Sequence, residues 1–346
     1  GKKKKESTSS HLVLVSGTCH PKLSKEISEL LKVPLHATDI SRFADGEVKI
    51  ELETVRGGSV FVIQTCGTPV SDSSLELLLA ISAAKRAGAK SVTAVIPYYP
   101  FKHHRRGSPK SSKHGSKFLM SAAMDYAKML EEMGVDRIVT VDLQRPGQGH
   151  ESCFFDNSVP TENIVTTKLL GDYFLNNIKL EGDIVVVSPN DECLNKTIKY
   201  ESLLAKAYPQ SHVSLAALVH HGISTYNQGA GLEALGKFEV KDCNVVIIDD
   251  FIDTAETISY IANRVSNAGA KRIFVIASHA GFTPGSMQTI DRSPIEKVFV
   301  SNTLPLPNVR SNKVVQVNVA QLLANSIHTQ HFESRMIDED YEIEFH

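Results

Sequence analysis

An excess of one sign of charge is lacking in this chain: 37 Lys and Arg stand against 39 Asp and Glu, a formal net charge of −2 over 346 residues. That balance supplies no electrostatic hold on nucleic acid or on an anionic membrane. Long apolar runs are absent, none approaching the roughly 20 residues of a membrane-spanning helix. Cysteine is scarce too. Cys19, Cys66, Cys153, Cys193 and Cys243 are odd in number, scattered and without metal-site spacing. Reduced thiols in a reducing compartment are expected, and the cytoplasm is the first choice. The basic start, Gly1 to Ser10, reads as a disordered, solvated tail and lacks the Arg-rich amphipathic pattern of a transit peptide. An organellar address after removal of a presequence is the alternative.

What is present is a repeated rhythm of short apolar strands and amphipathic helices. His11–Ser16 reads as a strand, and Pro21–Leu31 as a helix with Leu23, Ile27, Leu30 and Leu31 on one face. Leu35–Phe43 leads into the turn signal Ala44-Asp45-Gly46-Glu47 and the alternating strand Val48–Leu52. Strands are predicted over Val60–Gln64, Val92–Pro97 and Arg137–Val141, and helices over Ser73–Ala87 and Lys117–Met133. The rhythm then recurs. Helices are predicted over Ile164–Asn176 and Asn195–Ala207, and strands over Ile184–Val187, His212–Val219, Val245–Ile248, Ile273–Ala277 and Val298–Val300. Alternation of this kind, twice over, predicts two doubly wound α/β domains with parallel sheets. The boundaries expected are 11–156 and 157–315, with a last helix at 316–328 and a tail at 329–346. Phe101–Gly115 and His220–Gly236 lack periodicity and read as loops.

The stretch around which the second half is organised is Asn244-Val-Val-Ile-Ile-Asp-Asp-Phe-Ile-Asp-Thr-Ala-Glu-Thr-Ile258. A continuous β-branched run is how a strand buried on both faces reads. Here it is followed by Asp249 and Asp250, then Asp253-Thr254-Ala255-Glu256-Thr257, then a helical pattern through Ile258, Ile261 and Val265. Such a junction places backbone N–H groups at the carboxyl end of a sheet, where a phosphate is held. The adjacent Asp pair suits sugar hydroxyls or hydrated Mg²⁺. An ordinary strand-to-helix turn with Asp caps is the other reading.

This loop resembles the ribose-5-phosphate loop of the type I phosphoribosyltransferase fold. Together with Phe43-Ala-Asp-Gly-Glu47, Ile96-Pro-Tyr-Tyr99 and Ser301-Asn-Thr303, it resembles the ribose-phosphate pyrophosphokinases, or PRPP synthetases, from about His11 to about Ile327. The resemblance implies that Asp249, Asp250, Asp253, Thr254, Ala255 and Thr257 form the ribose-5-phosphate site. It implies that Phe43, Asp45 and Glu47 reach the ATP site of a neighbouring subunit, and that the last helix packs back on the first domain. ATP and Mg²⁺ are the implied cofactors, and a homo- or hetero-oligomer with similar subunits, possibly within a larger complex, the implied partner.

Several positions depart from the family pattern. His103, His104 and Arg105 stand where the family grips ATP with an Arg-Gln-Asp run; Arg105 and Arg106 either pair with phosphates or belong to a solvated basic loop. Gln144 replaces a His metal ligand, and its amide oxygen is a weaker donor to a hard cation. His150 is the candidate substitute. Asn190 replaces an Asp at the second metal contact, with Asp191 one residue along, and Glu192 and Cys193 replace glycines that let backbone approach phosphate. His220 and His221 replace the Lys and Arg that open the family's flexible loop. Loss of a transition-state cation costs about 10²–10³ in rate by analogy with oxyanion donors. Glu256 replaces a Gly, and Asp253-Thr-Ala-Glu256 fits a capping box with Asp253 as N-cap and Glu256 turning back onto its amide, where the Glu256 carboxylate would occupy or repel the 5-phosphate's place.

The reading that follows is a PRPP synthetase-like subunit, catalytically impaired alone, acting as a regulatory or structural component and resembling the PRPP synthetase-associated proteins. The alternative is an active ribose-phosphate pyrophosphokinase that makes PRPP and AMP from ATP and ribose 5-phosphate for nucleotide biosynthesis. A phosphoribosyltransferase fits less well, because that fold needs one such domain and this chain has two.

Overall fold

The computed structural model describes residues 11–101, 111–112, 115–116, 122–143, 159–220, 232–235, 239–332 and 343–345. The chain divides into two compact units, 1–165 with 320–346, and 166–319.

The first unit runs β1 (Leu12–Ser16), α1 (Pro21–Leu31), β2 (Thr38–Arg42), β3 (Val48–Leu52), β4 (Ser59–Ile63), α2 (Val70–Arg86), β5 (Ser91–Ile96), β6 (Ser111–Ser112), β7 (Gly115–Ser116), α3 (Ala122–Glu132), β8 (Arg137–Val141) and β9 (Thr161–Ile164). The second runs α4 (Thr167–Asn177), β10 (Ile184–Ser188), α5 (Leu194–Ala207), β11 (Val213–His220), β12 (Leu232–Leu235), β13 (Asn244–Ile252), α6 (Glu256–Asn267), β14 (Arg272–Ala280), α7 (Ser286–Arg292), β15 (Lys297–Ser301) and β16 (Val314–Val317). The chain then returns to the first unit with α8 (Ala320–Phe332) and β17 (Ile343–Phe345).

In the first unit the sheet order is β1-β4-β5-β8-β9-β17. Its strands are parallel except β17, which pairs antiparallel with β9. Successive side chains of a strand point to opposite faces. Val13 and Val15 of β1, Val60 and Val62 of β4, and Val92 and Ala94 of β5 therefore share one face, packed with Leu77 and Ile81 of α2 and Tyr126 and Leu130 of α3. Helices α1 and α8 pack on each other, and α1 touches β1. Leu322, Leu323 and Ile327 of α8 are buried, and its Ser326 and Gln330 both donate to the Glu162 carboxylate of β9, at 2.9 and 2.6 Å.

In the second unit the order is β12-β11-β10-β13-β14-β15-β16, all parallel except the edge strand β12. The central strands are apolar on both faces because both are covered. Val185, Val187, Val245, Ile247, Val275 and Ala277 face α6 and α7. Ile184, Val186, Val246, Ile248, Phe274 and Ile276 face α4 and α5. Among the described residues no helix is long and apolar enough to cross a membrane.

Several boundaries differ from those expected. The first unit runs to Val165 rather than 156, because β9 pairs with β8 and completes the sheet. The residues expected to begin a helix at Ile164 end that strand, and α4 starts at Thr167. The last helix does not begin at 316: Gln316 and Val317 pair with Val300 and Ser301 as an edge strand, and α8 occupies 320–332. The segment 329–346 is not wholly a tail, since α8 runs through Phe332 and β17 lies on β9. The helix expected from Lys117 is described from Ala122 onward. The strand expected to stop at Ile248 continues through Asp249 and Asp250 to Ile252. The tail 1–10 lies outside the described residues.

Candidate functional site

The second unit's site is built at the carboxyl ends of β10, β13, β14 and β15. Pleating decides what meets there. Asp250 and Ser278 share parity with Val246, Ile248, Phe274 and Ile276, so they fall on the face covered by α5. From the first turn of that helix Lys196 reaches back. Its Nζ makes an ion pair with Asp250 Oδ1 and donates to Ser278 Oγ at 2.7 Å. Cys193, the residue before α5, places Sγ 3.5 Å from Asp250 Oδ2 and 3.7 Å from Asp249 Oδ1. Burial first, then the Asp250 and Asp249 carboxylates, push this thiol far up from its ordinary range. Asp249 Oδ1 also accepts the N–H of Asp250, at 2.8 Å.

Beside this cluster runs a second polar chain. Ser301 Oγ donates to the Ser278 carbonyl at 2.5 Å and lies 2.9 Å from Thr303 Oγ1, which lies 2.7 Å from Nδ1 of the buried His279. Asn302 points elsewhere: its Oδ1 accepts the Val319 N–H at 2.8 Å and its Nδ2 donates to Asn318, pinning the segment that leads out of the unit.

The loop after β13 is not the capping box expected from Asp253-Thr-Ala-Glu256. Helix α6 begins at Glu256, its N-cap is Ala255, and the cap carries no side-chain hydrogen bond. Ala255 is left-handed, with φ 64° and ψ 6°, so the chain turns one residue before the helix and Glu256 becomes the first helical residue. A capping box needs its acid at the third. The Glu256 side chain is exposed, and its N–H lies 3.4 Å from Thr254 Oγ1. The Asp253 carbonyl accepts from Thr283 N–H at 3.3 Å, which ties the loop to the segment after β14. The first-turn N–H groups of Thr257 and Ile258 have no intrahelical acceptor by helix geometry. They lie at the positive end of a 12-residue helix.

Asn190 Oδ1 accepts the Cys193 N–H, three residues on, at 3.0 Å. That oxygen is the donor a metal would need. Asp249 and Asp250 offer hard carboxylate oxygens, but Asp250 is already engaged by an ammonium. Among the described residues no group of three His, Cys, Asp or Glu side chains is arranged to hold a metal. Held by the Lys196 ammonium, the Asp250 carboxylate does not fit a resident Mg²⁺.

Phe43, Asp45 and Glu47 come together in the first unit, on the turn between β2 and β3. Phe43 N–H bonds to the Glu47 carbonyl at 2.9 Å, Asp45 Oδ1 accepts the Glu47 N–H at 3.1 Å, and Gly46 supplies the required positive φ of 95°. The Phe43 ring is about half exposed. At the base of this hairpin Arg42 lies 3.6 Å from Glu76, a carboxylate 1% exposed. Glu76 also accepts from Thr18 N–H, Thr18 Oγ1 and Gln64 Nε2, all at 2.7 Å. His103, His104, Arg105, Gln144 and His150 lie outside the described residues. His220 ends β11, and its side chain lies outside them also.

Each of the two α/β units is built on a sheet of mostly parallel strands, a phosphoribosyltransferase-like fold present twice, and the second unit carries the acidic strand end and helix-start loop. Residues 12–134 match the family model described as the N-terminal domain of ribose phosphate pyrophosphokinase. Residues 228–338 match the phosphoribosyl synthetase-associated domain. The ribose-phosphate pyrophosphokinase of Prochlorococcus marinus is 37% identical over 94% of this chain and 93% of its own. That of Aquifex aeolicus is 32% identical over 91% and 94%. The crystal structure of phosphoribosylpyrophosphate synthetase from Mycobacterium smegmatis superposes with a TM-score of 0.77 at 29% identity, over 94% of this chain and all of that one. The chain belongs to the ribose-phosphate pyrophosphokinase family.

Proposed function

We propose that the chain is a ribose-phosphate pyrophosphokinase, transferring a diphosphoryl group from ATP to ribose 5-phosphate and releasing AMP. The observation that carries this reading is the loop before α6. With Glu256 at the first helical position and exposed, rather than folded back over the helix start, the α6 N-terminus stays open to a 5-phosphate. The Asp249–Asp250 pair at the end of β13 supplies acceptors for ribose hydroxyls. Relatives named for this activity, at 30% identity and above over nine-tenths of the chain, support the same reading.

A second reading is favoured by one feature. Asn190 stands in place of the family's carboxylate, and its oxygen is spent on Cys193 N–H. In that reading the chain turns over slowly alone and acts as a regulatory or structural subunit among similar subunits. The exposed Phe43 turn is a surface suited to such assembly.

One assay separates the two. The purified chain is given saturating Mg-ATP and ribose 5-phosphate, alone and mixed with an active relative, and AMP and PRPP are quantified while light scattering reports mass. Turnover alone near ordinary kinase rates, about 1–100 s⁻¹, supports the enzyme. No product alone, with product altered in the mixture, supports the subunit.

A further inference from the structure

Lys196 sits in the first turn of α5. A cation is unfavourable at the positive end of a helix, so its position needs another cause. The cause is on the sheet below. Its Nζ is clamped between Asp250 Oδ1 and Ser278 Oγ, and the Lys196 and Asp250 side chains are only 17% and 12% exposed. Cys193, from the same helix start, adds a thiol against both acids. A helix end thus delivers one full positive charge to a carboxylate on the strand that enters the ribose loop. A divalent cation on Asp250 would have to displace that ammonium or sit against it, and like charges at contact distance repel.

We propose that Lys196 is the fixed counter-ion of the acidic pair. It does at Asp250 what a divalent cation would otherwise do, so ribose 5-phosphate binds the 253–257 loop without Mg²⁺. Lys196 is a positioning residue, acting through Asp250, and it makes sugar-phosphate recognition in this unit independent of metal. The proposal rests on the reading above that this loop takes ribose 5-phosphate.

The test is calorimetry on the metal-stripped full chain, titrated with ribose 5-phosphate with and without added MgCl₂. Wild type binds equally in both conditions. Lys196→Met loses about tenfold or more in affinity without Mg²⁺ and recovers it when Mg²⁺ is added, because the vacated carboxylate now accepts the ion. Lys196→Arg behaves as wild type. A titration with Mn²⁺ followed by its spin resonance shows an extra bound ion in Lys196→Met relative to wild type. Wild-type binding that requires Mg²⁺ overturns the proposal and leaves the reading of the loop intact. An unchanged metal response in Lys196→Met also overturns it. Absence of ribose 5-phosphate binding in either condition overturns both. Should Lys196→Met fail to fold, the wild-type comparison decides alone.

Discussion

Ala255 and Glu256 show how one backbone angle changes a site. Spacing alone makes Asp253 and Glu256 a capping pair. The left-handed Ala255 cancels it by starting the helix late. An L-residue in that conformation costs about 1–2 kcal/mol. Ala255→Gly relieves that strain but forfeits a buried methyl, worth about 0.8 kcal/mol, and loosens the unfolded chain. Chemical denaturation should place Ala255→Gly within about 1 kcal/mol of wild type, whereas Ala255→Val, β-branched at positive φ, should lose about 2 kcal/mol or more. Glu256→Ala should cost no more than about 1 kcal/mol, the worth of a helix-start charge; a larger loss would revive the capping box. Cys193 is buried with its pKa raised, so its thiolate is scarce. Native alkylation followed by mass spectrometry should label the partly exposed Cys19 and Cys243 well before Cys193.

Elements are joined in this fold by a few polar pins. Glu76 of α2 gathers the Thr18 loop after β1, the Gln64 amide after β4 and Arg42 at the base of the hairpin. Removing the acid leaves buried donors unpaired, each costing about 1–3 kcal/mol. Glu76→Ala should lower stability by about 3 kcal/mol in urea titration, and Glu76→Gln by less, since an amide oxygen still accepts. Arg272, opening β14, holds Glu296 before β15 in a two-pronged pair at 2.8 and 2.5 Å. That hydrogen bonding, first among the causes, depresses the Glu296 pKa. A depressed carboxyl contributes stability that is full above its unfolded pKa, about 4.3, and is lost as pH falls through the folded value. The pair is partly exposed, so its worth is about 0.2–1 kcal/mol. Glu296→Gln should be less stable than wild type by that amount at pH 7, and the gap should close in acid.

The whole chain is organised unequally. The second unit, 166–319, is continuous in sequence and contains every strand of its seven-stranded sheet. Expressed alone it should fold, with a single cooperative urea transition and a slope in the range of about 1–3 kcal/mol/M. The first unit is closed by the chain's return: α8 packs on α1 and its Ser326 and Gln330 satisfy Glu162 of β9. Truncation before residue 320 should therefore unfold the first unit and leave the second folded, which circular dichroism and limited proteolysis will resolve.

The alternation of apolar strands with amphipathic helices determined the fold class from the sequence alone, because burial on two faces and a 3.6-residue stripe are written into local composition. The order of the motifs from Phe43 to Thr303 determined the family for the same reason: their chemistry is local. What the sequence could not carry was the content of the site. Whether Glu256 caps a helix depends on the φ of Ala255, and whether Lys196 is a surface lysine or a counter-ion depends on Asp250 and Ser278. The last two lie 54 and 82 residues away along the chain. One hint was legible, a lysine at the wrong end of a helix dipole, but only the pleat of the assembled sheet sets which carboxylate it meets. Likewise β16 and β17 are only four and three residues long, too short to be told as strands by pattern alone, and they pair where β15 and β9 present edges.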